Sequence, residues 1–126
     1  MTFTNTLNAG NKHQELSVLL DFYDGELHFL EERLREVVMR NTGHEAMMEA
    51  EHFQNQFIIQ TRNLEEMMLR LINYKHLAYL DSADHAGKMD DRLLTEINAL
   101  ENDVHTFEKV VLELRSQYKQ FLLKWM

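Results

Sequence analysis

Apolar residues recur along most of this chain at alternating spacings of four and three, the signature of helices that pack lengthwise on other helices. The clearest run is Leu93, Ile97, Leu100, Val104, Phe107, Val111, Leu114, Tyr118, Phe121 and Trp125. Leu16, Leu20, Tyr23, Leu27, Leu30, Leu34 and Val37 repeat the pattern upstream. Between the two lie Ala46, Ala50, Phe53, Phe57, Gln60, Leu64, Met67, Leu71, Tyr74 and Ala78. Gln60 is the polar exception, and a polar residue on such a seam fixes register by bonding a partner or a water.

The breaks between the runs carry helix-end chemistry. Asn11 followed by Gln14 has the form of an N-cap with a reciprocating side chain, and Thr42 followed by Glu45 repeats it as a capping box. Asn41-Thr42-Gly43 closes the first run, since Asn and Gly tolerate the left-handed conformation that ends helices. The second break is Asp81 to Lys88, with Gly87 as a helix stop. The patterning predicts helices over about 11–41, 43–81 and 88–126, after a flexible tail over 1–10 that lacks helical period. Gly25 interrupts the first helix in Asp24-Gly25-Glu26, yet the apolar phase continues across it, so the helix continues too, with a local bend. Short connections force neighbouring helices antiparallel.

The expected fold is therefore all-α: an elongated, up-down-up, antiparallel three-helix coiled-coil-like bundle, forming a single domain over 11–126. This topology sets the small Ala46 and Ala50 opposite the bulky Phe121 and Trp125 at one pole. In general shape such a bundle looks like a spectrin-type repeat, a likeness of topology.

Composition narrows the function. The chain has no Pro and four Gly among 126 residues, which leaves no room for a turn-rich sheet, a phosphate loop or a dinucleotide fingerprint. With 13 Lys plus Arg against 21 Asp plus Glu, the net charge of -8 argues against nucleic-acid or anionic-membrane partners. Lys109, Arg115, Lys119 and Lys124 are the densest basic group, and they complement the negative end of the last helix. The absence of cysteine removes disulfides, thiolate chemistry and Cys-based metal sites. No secretory signal or spanning segment is legible, so the expected location is cytoplasmic.

Seven histidines among many carboxylates raise the question of a metal, because bundles build di-iron sites from inward Glu-x-x-His pairs. Glu49 and His52 have that spacing, but the pattern sets His52 outside the seam and offers no second pair. His28, His76 and His105 also fall outside. The remaining metal candidates are His13, Asp81, Asp84 and His85, gathered by the topology at one pole. Asp81-Ser82-Ala83-Asp84-His85-Ala86-Gly87 lacks the alternating ligands of a calcium loop. His85-Ala86-Gly87-Lys88 is similar to the His and Lys pair of phosphotransfer bundles, although it falls in a predicted turn and precedes Met89. The reading is of a chain with no catalytic residues and no cofactor, with a histidine-based metal or phosphorelay bundle as the alternative.

Apolar residues off the seam point elsewhere. Leu19, Val38, Met47, Met68, Leu77, Leu94, Val110 and Leu122 flank it and should be partly covered. Phe22 and Phe29 lie farther out on the first helix, and Ile58, Leu69, Ile72 and Tyr79 form a stripe on the second. A lengthwise apolar stripe on an outer face predicts a covered surface. These six residues are the expected interaction surface of a non-enzymatic structural or protein-interaction module, which takes a protein partner or a second copy of itself as a homodimer.

Overall fold

The computed structural model describes residues 6–84 and 91–125, with side chains described within 12–81 and 91–125. These residues form α1 (Thr6–Arg40), α2 (His44–Asp84) and α3 (Asp91–Trp125), with no strand among them. Each helix packs on both of the others, giving the predicted three-helix bundle. At 1.5 Å per residue the helices are about 50 to 60 Å long.

The seam is the core. Every predicted seam residue of α1 is buried, and so are those of α2 and α3, except that Ala78, Leu93 and Trp125 at the bundle ends are half-buried. Gln60 is buried with the rest, and its side-chain carbonyl accepts a hydrogen bond from Asn63 Nδ2 at 3.3 Å. Aromatic residues fill one stretch of this core: Phe53 lies 5.1 Å from Phe121 and 5.5 Å from Tyr118, and Phe57 lies 5.4 Å from Tyr118 between ring centroids. Such edge and tilted contacts add to the area each ring buries. The Tyr118 hydroxyl is buried without a hydrogen-bond partner among the described residues, and burial pushes its pKa up to about 12.

Helix ends depart from the expected bounds in three places. α1 begins at Thr6, so residues 6–10 are helical and the Asn11 cap lies inside the helix; residues 1–5 of the expected tail fall outside the described residues. α2 begins one residue later than the capping box implied, because the Gly43 carbonyl accepts the first intrahelical bond, from Met47 N at 3.0 Å. Gly43 is therefore the N-cap. α2 also runs on to Asp84, past the expected end at 81, while Gly87 and residues 88–90 are outside the described residues. At the first break Asn41 does close α1, returning both its backbone N–H and its side-chain Nδ2 to the Val37 carbonyl at 3.0 Å. α1 passes through Gly25 as continuous helix. Two residues away on either side, Tyr23 and Leu27 are buried in the core, and that burial offsets the intrinsic cost of glycine.

Polar links then set the helices against one another. α1 and α3 are joined by Tyr23 Oη donating to Glu108 at 2.6 Å, Lys12 to Glu101 at 3.4 Å and Arg115 to Glu26 at 3.2 Å. α2 and α3 are joined by Arg70, which reaches Asp103 at 2.7 Å and Glu96 at 3.5 Å. At the pole predicted to pair small with large residues, Lys124 bridges Glu45 and Glu49 at 3.1 and 3.2 Å, and the Trp125 indole N–H donates to Glu49. That last bond draws the Glu49 carboxyl pKa below its usual value. Exposed pairs of this kind contribute little to stability, but they discriminate between registers.

Candidate interaction surface

The predicted surface residues all lie outside the core. Phe22 and Phe29 are exposed on α1, and Ile58, Leu69, Ile72 and Tyr79 are exposed on α2, where Tyr79 retains 74% of its accessible area. The helical phase that buries Phe57, Leu64 and Leu71 necessarily turns these positions outward.

The structure separates the six into two places. Phe22 and Phe29 flank Glu26, whose partner is Arg115 of α3, so they lie on the α3 side of α1. Ile58 instead lines a groove between α1 and α2, together with Glu31, Arg35 and Val38 of α1. A hydrogen bond from Thr61 Oγ1 to Glu31 Oε1, long at 3.4 Å, crosses the same seam. A single continuous patch built from all six residues is therefore not what the fold presents.

The groove extends to the α1–α2 hairpin, where Met39, Met47 and Met48 line it, and has a volume of about 870 Å³. Sequence reasoning placed Met47 among partly covered flanking residues and passed over Met39 and Met48. The signal was available as three methionines on either side of the Asn41-Thr42-Gly43 break. Met47, Leu77 and Val110 are more open than expected, at 40 to 44% exposure, whereas Leu19, Val38, Met68, Leu94 and Leu122 do pack on the core. Val18, Ile59, Leu80, Leu112 and Leu123 are further exposed apolar residues that the pattern alone did not mark. Their scattered positions need no partner to explain them.

The histidine chemistry finds less support. His13 packs its ring on Tyr74, with centroids 6.3 Å apart, and its pKa is lowered by partial burial and then by the nearby Lys75 cation. The Asp84 side chain and the whole of His85 are outside the described residues, so the predicted pole cannot be assembled from them. Among the described residues no group of three or more His, Cys, Asp or Glu is placed to hold a metal ion. His28, His44, His52, His76 and His105 are exposed. The His28 ring bonds the Asp24 carbonyl at 2.8 Å, and this together with the Asp24 carboxylate raises its pKa.

Among the described residues no helix is long and apolar enough to cross a membrane. No protein-family model, no curated protein and no solved structure matches this chain.

Proposed function

We propose that this chain is a non-enzymatic helical interaction module, working in the cytoplasm and associating with a second copy of itself. The observation that carries the reading is the row of exposed apolar residues along α2, above all Leu69, Ile72 and Tyr79, each with more than half of its area open to solvent. Burying such side chains yields about 1.5 to 3 kcal/mol apiece, so a few of them suffice to drive association once the ordering cost is met. A reducing compartment suits a chain without cysteine.

The test is the mass in solution by light scattering across the micromolar range, where the expected result is a dimer. Ile72→Asp should shift that mass to monomer while circular dichroism shows unchanged helicity, because Ile72 takes no part in the core. Phe22→Asp asks the same of the α1 patch. A monomeric wild type throughout the range would remove self-association. A stoichiometric transition metal in protein purified without an affinity tag would overturn the reading as a whole and point back to the histidines.

A further inference from the structure

We propose that α2 is the helix through which two copies meet, pairing antiparallel along its outer face so that Arg62 of each copy stands against Glu65 of the other. The inference rests on self-association and specifies its geometry.

The starting observation is a second seam on α2, opposite the buried one. Positions 48, 51, 55, 58, 62, 65, 69, 72, 76 and 79 repeat the spacing of three and four, and all of them are exposed. This row is half apolar and half charged or polar. Among the described residues Glu51, Arg62 and Glu65 have no ion-pair partner, whereas Arg70, farther along α2 on its side toward α3, is held by two carboxylates. The outer row thus carries unspent charge as well as unspent apolar area.

Pairing the row with its own copy has few solutions. A parallel arrangement sets each residue against itself, which brings Arg62 onto Arg62 and Glu65 onto Glu65 at the centre of the contact. Like charges so placed are repelled. An antiparallel arrangement places residues from the two kinds of seam position in the same layer. The register that sets Arg62 against Glu65 also sets Ile58 against Leu69, and by the two-fold axis each of these layers occurs twice. Farther out it sets Tyr79 against Met48 and Glu51 against His76. One layer, Ile72 against Asn55, joins unlike residues. A slip of one heptad loses the match: in one direction Glu51 falls on Leu69 and Ile58 on Arg62, and in the other Glu65 falls on Leu69 and Ile72 on Arg62. A slip of two heptads sets Arg62 on Glu51 without an apolar layer in one direction, and Leu69 on Ile72 with Arg62 on Tyr79 in the other, each over a shorter overlap. The central register alone joins Arg62 to Glu65 and groups apolar residues over the full length of the row, so charge complementarity and overlap together favour a second copy running antiparallel.

The absence of cysteine makes the arrangement directly testable. Equimolar I58C and L69C chains, mixed and oxidised, should form a covalent heterodimer, while each variant oxidised alone should not. In the proposed register two copies of position 58 lie about 16 Å apart along the helices, beyond the reach of a disulfide. In parallel, R62E and E65R should each weaken dimerisation about tenfold in sedimentation equilibrium. The double variant R62E/E65R, which restores opposite charges across the axis, should recover to within about threefold of wild type. Cross-linking of either single-cysteine variant alone would overturn the register. A wild-type dimer that neither forms the 58–69 cross-link nor responds to charge reversal would overturn the α2 arrangement and leave self-association standing. A wild-type monomer would remove both.

Discussion

α3 and α2 bury seams of the same period and spend the charges beside those seams alike, but they differ on the faces left outside. On α3 the residues beside the seam are spent within the chain: Glu101 on Lys12, Glu108 on Tyr23, Arg115 on Glu26, Asp103 on Arg70, and Lys124 on Glu45 and Glu49. On α2 the flank toward α3 is spent in the same way, through Arg70, Glu45 and Glu49. The outer face of α2 keeps Arg62 and Glu65, of opposite sign, unpaired among the described residues beside exposed Leu69 and Ile72, whereas the outer face of α3 keeps Lys109 and Lys119, of one sign, unpaired among the described residues beside exposed Leu112 and Leu123. The difference teaches that a heptad pattern with charged flanks does not by itself announce a partner. What sets the proposed contact face of α2 apart is that the charges left over are of opposite sign and stand among apolar residues.

Substitutions can break that contrast, beginning with the seam itself. Phe57→Ala removes a fully buried ring that packs on Phe53 and Tyr118 and should cost about 3 to 5 kcal/mol in chemical denaturation. Ile72→Ala on the outer face, measured in dilute monomeric protein, should change stability by less than about 0.5 kcal/mol. Comparable losses at the two sites would mean that the α2 face is not free. Tyr118→Phe sharpens the picture of the core: deleting a hydroxyl that is buried without a partner should raise stability by about 1 kcal/mol, visible as a higher midpoint at unchanged slope.

The charged flanks give smaller effects. Arg70→Ala should cost about 0.5 kcal/mol at low salt and less in high salt, since Arg70 holds Asp103 and Glu96. Arg62→Ala should leave monomer stability unchanged, and an equal loss at both positions would erase the distinction between spent and unspent charge. A small, pH-dependent effect belongs to His13. Its folded pKa lies below the ordinary value near 6.5 because burial, and secondarily Lys75, disfavour the cation. The unfolded chain therefore binds the proton more readily. Stability is complete above the unfolded pKa and is lost as pH falls through the folded one. His13→Gln should flatten this acid-side slope by a fraction of a kcal/mol in denaturation series run from neutral to mildly acid pH.

Much of this molecule was legible in the order of its side chains. The four-three spacing located the buried residues of all three helices, Gln60 included, because a helix has one period and a long bundle must bury one stripe of it. Short connections fixed the antiparallel order and placed the Trp125 end beside the start of α2. Helix ends were less legible. The extension of α1 back to Thr6 and the capping of α2 by Gly43 rather than Thr42 depend on which backbone groups are satisfied in place, and several residues compete for each cap.

Only the tertiary structure decided how the faces outside the seam are shared out. A helical wheel sets Phe22 and Ile72 alike on outer surfaces, but it cannot say that one borders α3 and the other lies on the outer face of α2, nor that Arg70 is consumed by Asp103 while Arg62 has no ion-pair partner among the described residues. The period of the backbone determines which residues turn inward. Which outward residues remain available is a question of neighbours, and neighbours come from distant parts of the chain.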